Sequence, residues 1–279
     1  MLVLNFKHLC FKALQVWWPD SATAIYPLLD QCPVVIVWQC PKTIIEELQP
    51  YVFRALPFWT PLVDLSLSED ELLQQLDAKS CRYEIRKARK METKILHNEE
   101  MESARLLINS SVRRLQYRAE LGPAEWGNLF PPHEVFICQW DGATVAAHVI
   151  LPDHPGRARL LLSGTADRGD PRFHNVVGPL NRLLHWAEFQ HYKAKGFRYY
   201  DFGGCELDKS SPSYPVTEFK LSFGAQPVEE PMLFLAKNPS LRMALRMMDN
   251  LRSSLRKAPW PTGLLRAIKK HPKLGSLFR

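Results

Sequence analysis

Two boxes late in the chain constrain its fold more than any other feature: Phe197-Arg198-Tyr199-Tyr200-Asp201-Phe202-Gly203-Gly204, then Phe219-Lys220-Leu221-Ser222-Phe223-Gly224. The first reads as a buried strand ending in a diglycine. The second reads as the start of another strand, with one lysine among aromatics. A charged Asp or Lys set in apolar surroundings needs partners if it is buried. A diglycine at a strand end lets another backbone, or a ligand, come close. Upstream, Val176 to Lys195 reads as a helix stopped by Gly196. The result is a strand–helix–strand unit with its polar groups at one end, where open α/β sheets bind ligands.

The rest of the pattern extends this unit into a mixed sheet with flanking helices. Val34 to Trp38 is a β-branched strand, Thr43 to Arg54 a short helix, and Ala55 to Pro61 an extended connector biased away from helix by its prolines. Ser68 is placed to cap a helix through Leu76, with Glu69, Asp70 and Glu71 in its first turn. Arg82 to Lys90 continues as a basic helix, and Met101 to Arg118 is another. Glu134–Gln139 and Thr144–Leu151 form a hairpin about Asp141-Gly142, followed by a strand from Arg159 to Gly164. The fold class is α/β (α+β), with a mostly antiparallel mixed sheet. The expected division is a reduced N-terminal subdomain over 1–60, a main domain over 61–236 and a basic helical tail over 237–279.

Charge is concentrated in that tail. The chain carries +7 overall, but residues 237–279 hold eleven Lys or Arg against Asp249 alone, so the remainder is net acidic. Leu241, Leu245, Met248, Leu251 and Leu255 recur at helical spacing between the arginines, up to Pro259-Trp260-Pro261, and a second short helix is predicted from Leu264 to Lys270. Such a helix docks on an anionic membrane surface, binds RNA, or packs on the protein's own sheet. No run is long enough to span a bilayer, and Lys7, His8 and Lys12 interrupt the apolar start, which argues against an export signal. The six cysteines show neither C-x-x-C nor a disulfide framework, which leads us to expect a reduced, cytoplasmic protein.

Several groups are candidates for chemistry. Asp201 can accept or orient a proton of a nucleophilic amine, and Lys220 can hold a phosphate or stabilise a tetrahedral intermediate; the alternative is a structural ion pair at the sheet edge. Arg82 and Arg86, with Arg89 or Lys90, share one helix face suited to phosphates, although such stripes also serve as solvated faces. Tyr117 and Arg118 end the next helix beside Arg113 and Arg114, where the helix dipole alone favours cations. Arg172, His174 and Asn175 precede the Val176 helix, whose N-terminal N–H groups suit the phosphates of a donor. Glu188-x-x-His191 is half of a di-iron motif with no second half, and His185 and His191 do not share a helix face, so no metal is expected.

The boxes resemble the FemAB-like branch of the GNAT acyltransferases. The matching text is Leu184-His185-Trp186-Ala187, the strand to Gly203-Gly204, and Phe219-Lys220-x-Ser222-Phe223-Gly224. Val63-Asp64-Leu65-Ser66 and Arg82-Tyr83-Glu84-Ile85-Arg86-Lys87-Ala88-Arg89-Lys90 are similar to the start of that domain. The resemblance runs from about residue 60 to about residue 235. It implies a GNAT-like fold and an N-acyltransferase with acyl-CoA, or alternatively aminoacyl-tRNA, as donor. The acceptor would be an amine-bearing sugar or lipid-linked precursor of the cell envelope or surface polysaccharide. On that reading Lys220 and Asp201 are catalytic. Gly203, Gly204, Arg172, His174 and Asn175 hold the donor, and Arg82, Arg86, Tyr117 and Arg118 hold the acceptor. The usual pyrophosphate loop of GNAT enzymes is replaced here by Asp170 to Pro179, with one Gly and two Pro, which leaves the donor open. Residues 237–279 would place the protein on the inner face of the membrane. A rival reading is a non-catalytic membrane-peripheral partner in polysaccharide assembly.

Overall fold

Strands whose residues alternate between two apolar faces build two separate sheets in the computed structural model, which describes residues 1–8, 11–116, 118–127, 133–153 and 156–257, with side chains except at 5–8, 11 and 252–257. Chain contacts divide it into two units: residues 1–58 with those from 230 onward, and residues 59–229.

The first unit contains β1 (Leu2–His8), β2 (Phe11–Trp17), α1 (Tyr26–Gln31), β3 (Val34–Trp38), α2 (Ile45–Leu48) and β4 (Val52–Leu56). Later chain returns to this unit, and the sheet order is β1-β2-β3-β12-β4, with β12 being Met232–Leu235. Only β2 and β3 run parallel. Val35 and Val37 face a core with Ile25, Leu29 and Leu48, while Val34 and Ile36 face the opposite core with Phe53 and Leu245. The predicted helix over 43–54 is cut short. A 3-10 turn and α2 cover part of it, and Pro50 sits in a further 3-10 turn from which β4 leaves. The apolar start of the chain forms the β1–β2 pair.

The second unit contains β5 (Trp59–Asp64), α3 (Glu69–Gln75), α4 (Cys81–Ala88), β6 (Thr93–His97), α5 (Met101–Leu115), α6 (Pro123–Gly127), β7 (Glu134–Trp140), β8 (Ala143–Asp153), β9 (Arg157–Thr165), α7 (Val177–Ala194), β10 (Tyr199–Asp201), α8 (Tyr214–Leu221) and β11 (Gln226–Glu229). Its strands lie in the order β11-β5-β10-β9-β8-β7-β6. Every neighbouring pair is antiparallel except β9 and β10, which α7 connects. Phe136 and Cys138 of β7 face the core that holds α3, α4 and α7, whereas Val135 and Ile137 face α5 and α6. Close approach of α5 to β9 depends on Gly164: a Cβ there would meet Ile108 Cα at 2.6 Å.

Ser68 and Glu71 form a reciprocal capping box on α3, as the sequence predicts for Ser68. The α5 helix stops at Leu115 rather than Arg118, where Gln116 turns left-handed at φ 52°. Phe219 to Gly224 is not a strand: Lys220 lies on α8, and Gly224 at φ 77° ends the turn that follows. α9 (Pro239–Lys257) bears out the predicted tail helix, while the Pro259-Trp260-Pro261 break and the second tail helix lie outside the described residues. No helix among the described residues is long and apolar enough to cross a membrane. Cys32, Cys40, Cys81, Cys138 and Cys205 are free thiols.

Candidate active site

The end of β10 is where the charged residues of the two boxes meet. Asp201 is fully buried, and its carboxylate is saturated. Oδ1 accepts from the Thr60 hydroxyl and, at 2.7 Å, from the Gly203 N–H. Oδ2 lies 3.3 Å from Arg157 and 3.5 Å from Arg159. Four neighbours thus fill the roughly four lone-pair sites of an ionised carboxylate. This arrangement folds the diglycine back on the strand, and Gly203 adopts φ +72°, which glycine alone enters without strain. A Cβ at Gly203 would meet the Leu160 carbonyl at 3.1 Å.

Lys220 reaches the same turn from α8. Its ammonium donates to the Gly204 carbonyl at 2.5 Å and lies 3.4 Å from the Gly203 carbonyl. Burial pushes its pKa down to about 8; Cys205 and Asp201 oppose that shift, and Arg159 adds to it. The site therefore presents a half-buried cation at a glycine turn, supported by a saturated carboxylate below it.

Similarity of shape decides the fold. FemX superposes with a TM-score of 0.69 at 12% identity, covering 88% of this chain and 86% of its own. The C-terminal domain of a protein assigned as lysylphosphatidylglycerol synthetase from Agrobacterium fabrum gives 0.55 at 13% identity, covering 89% and 84%. The L-PGS of Bacillus licheniformis gives 0.52 at 14% identity, covering 85% and 84%. The fold is that of FemX, in keeping with the FemAB-like, GNAT-like fold that the two boxes imply. No protein-family model and no curated protein matches the sequence.

In this FemX-like fold the remaining candidates are dispersed. Arg172 pairs with Asp141 at 2.8 Å and stacks on Phe173. His174 Nδ1 meets the Arg168 carbonyl at 3.0 Å, and the Asn175 carbonyl accepts from Lys87 at 3.2 Å. Each of the three therefore has its own local partner before the start of α7. Arg82 and Arg86 line a cleft of about 310 Å³ with Arg89 and Asp70. Arg82 itself donates to the Gln74 and Leu76 carbonyls at 2.7 and 3.0 Å, closing the C-terminal end of α3. Arg118 donates to the Ala119 carbonyl, and Tyr117 lies outside the described residues.

The sequence reading missed a buried polar network one layer beneath the site. Glu188 on α7 bonds His148 on β8 at 2.6 Å and the Tyr200 hydroxyl of β10 at 2.6 Å, with His185 at 3.2 Å. His148 also meets Asn181 at 3.0 Å, and its ring stacks on His185 at 4.2 Å. His185 packs on Phe202, Phe219 and Phe223, so it joins the network to both boxes. Only the i, i+3 spacing of His185 and Glu188 was open to sequence reading; His148 lies forty positions before Glu188 and is brought in by the sheet.

Proposed function

We propose that this protein is an N-acyltransferase of the FemAB/GNAT type. The amine of an acceptor attacks the carbonyl of a bound donor. A C–N bond forms, the thioester C–S or ester C–O bond breaks, and the proton lost by the amine goes to the departing thiol or ribose hydroxyl. The observation that carries this reading is Lys220, a cation held in partial burial against the Gly203-Gly204 turn, in a fold shared with FemX. There it stabilises the charge of the tetrahedral intermediate. Asp201 acts as a positioning residue that fixes the turn, since its oxygens are already engaged.

The donor is acyl-CoA or aminoacyl-tRNA, and the acceptor an amine-bearing sugar or lipid-linked envelope precursor. The Arg86–Arg89 cleft is suited to phosphates of either substrate. The name lysylphosphatidylglycerol synthetase describes an aminoacyl group on a lipid, which supports the aminoacyl donor. The exposed face of α9 and the basic tail favour work at an anionic membrane surface.

Mass spectrometry of ligands retained by the purified protein, together with turnover assays on the Lys220→Ala variant, tests the reading. Retained acyl-CoA or tRNA, and turnover lost in a folded variant, support it. Intact function without Lys220 favours the non-catalytic partner. RNase-sensitive activity, with tRNA binding that falls steeply with salt, assigns the aminoacyl donor.

A further inference from the structure

A second histidine cluster lies at the other end of α7. His97 ends β6, Glu134 begins β7, and His191 lies in the last turn of α7. From the sequence no metal is expected at His191; the sheet brings His97, Glu134 and His191 together. His97 Nε2 lies 3.1 Å from Glu134 Oε2, and His191 Nε2 lies 3.7 Å from the same oxygen. The two imidazoles are 4.5 Å apart at their centroids, and both pack against the Phe136 ring.

Two observations point to a ligand. First, His191 Nε2 is sealed from solvent and has no hydrogen-bond partner, although it faces a carboxylate oxygen. An orphaned buried nitrogen of this kind is costly unless something binds it. Second, the three ligand atoms all lie within 4.8 Å of one another, and the two His–Glu separations are close to those of a coordination sphere. Zinc bonds of about 2.0–2.1 Å at tetrahedral angles put ligand atoms about 3.3–3.4 Å apart. The observed 3.1 and 3.7 Å lie on either side of that value.

We propose that His97, Glu134 and His191 form a three-ligand site for a divalent cation of the zinc class, which ties the end of α7 to the β6–β7 edge of the sheet. Imidazole and carboxylate donors suit zinc and its neighbours in the first transition row. The supporting shell is already in place. Lys195 holds Glu134 Oε1 at 3.2 Å, leaving Oε2 to face the two rings, and the Tyr192 hydroxyl donates to Oε2 at 2.8 Å. Binding replaces the His97–Glu134 hydrogen bond with metal bonds: the proton leaves His97 Nε2, and the neutral ring carries its one proton on Nδ1. The side chains are 33%, 19% and 26% exposed, so the cluster lies close to solvent although His191 Nε2 is itself covered, and water would supply the fourth ligand to a bound ion.

The test uses the full chain with Zn2+ by titration calorimetry and Co2+ by visible absorption. The wild type should bind one Zn2+ and give the intense ligand-field bands of tetrahedral Co2+. His97→Ala, Glu134→Gln and His191→Ala should each weaken binding about tenfold or more, as loss of a ligand must at least match the 10–100-fold typical of losing an outer-shell partner. Zinc should raise the melting temperature of the wild type only. Equal binding by wild type and all three variants overturns the site, and so does the absence of saturable binding. The cobalt spectrum of the wild type decides the matter even if a variant fails to fold: a weak octahedral spectrum rejects the proposal. Acyltransfer activity is not the readout, so the proposal stands or falls apart from the Lys220 assignment.

Discussion

Lys220 is held by two glycine carbonyls while the burial that positions it works against its charge. If the ammonium stabilises the tetrahedral intermediate, kcat/KM should fall on the alkaline side as pH passes about 8. Stability should move the other way. Between about 8 and the ordinary lysine value of 10.5, the unfolded chain holds a proton that the folded chain has released, so this group makes the fold more stable as pH rises. Opposed trends in rate and stability would separate a chemical loss from unfolding. Lys220→Ala should lower turnover by about 10²–10³-fold, the usual effect of removing one charge-stabilising donor, with little change in melting temperature. Lys220→Arg, charged at every accessible pH, should lose the alkaline limb. Near-wild-type kinetics for the alanine variant would sink the assignment. Gly203 answers a different question. At φ +72°, any side chain costs about 1–2 kcal/mol, and the contact with the Leu160 carbonyl adds to this. Gly203→Val should therefore melt earlier and bind donor more weakly; unchanged melting and binding would show that the turn is only a loose strand end.

At the scale of elements, local signals were legible and tertiary ones were not. Ser68 and the Asp141-Gly142 hairpin follow from short-range backbone chemistry, and both appear as read. Phe219 to Gly224 misled because its aromatics fit a strand, yet Pro215 near the start of α8 already marks a helix start. Met232–Leu235 falls within the expected 61–236 stretch and pairs with β3 and β4, nearly two hundred residues earlier; no local pattern encodes that partner. The same holds for the Glu188 network, which joins β8, α7 and β10. Its titration sets an acid limit. Burial, with His148 beside it, brings the pKa of His185 down to about 4. Below the ordinary histidine value of 6.5 the unfolded chain takes up a proton that folded His185 refuses, so stability falls from about 6.5 toward 4. Burial pushes Glu188 upward, but the pull and hydrogen bond of His148 outweigh it and hold the carboxyl well below its ordinary 4.5. Its contribution is therefore present above 4.5 and is lost at still lower pH. Urea unfolding across this range should show the two losses in that order. Glu188→Gln should cost about 3–5 kcal/mol at neutral pH, as does removal of one partner from a buried pair. A stability profile flat from pH 6.5 to 4 would refute the histidine assignment.

For the molecule as a whole, charge and apolar exposure coincide on the last described helix. Leu245 is buried against its own sheet and Leu241 packs beside it, so part of the predicted apolar stripe belongs to the core. Met243, Met247 and Leu251 recur every four residues on α9 and are 64%, 66% and 62% exposed. The Leu255 side chain lies outside the described residues. If the protein works at an anionic lipid surface, as proposed, this exposed apolar row, in a segment with eleven cations and one acid, would enter the acyl boundary while the cations meet the headgroups. Each cation near such a surface contributes about 1 kcal/mol, so a few suffice for reversible attachment. Co-sedimentation should rise with the anionic fraction of the vesicles and fall as salt shortens the Debye length. Met243→Ser/Met247→Ser/Leu251→Ser should weaken binding several-fold without lowering the melting temperature, because these side chains touch solvent rather than core. Equal sedimentation of the triple variant and the wild type, or attachment indifferent to salt, would leave α9 as a structural helix and remove the membrane from the proposed function.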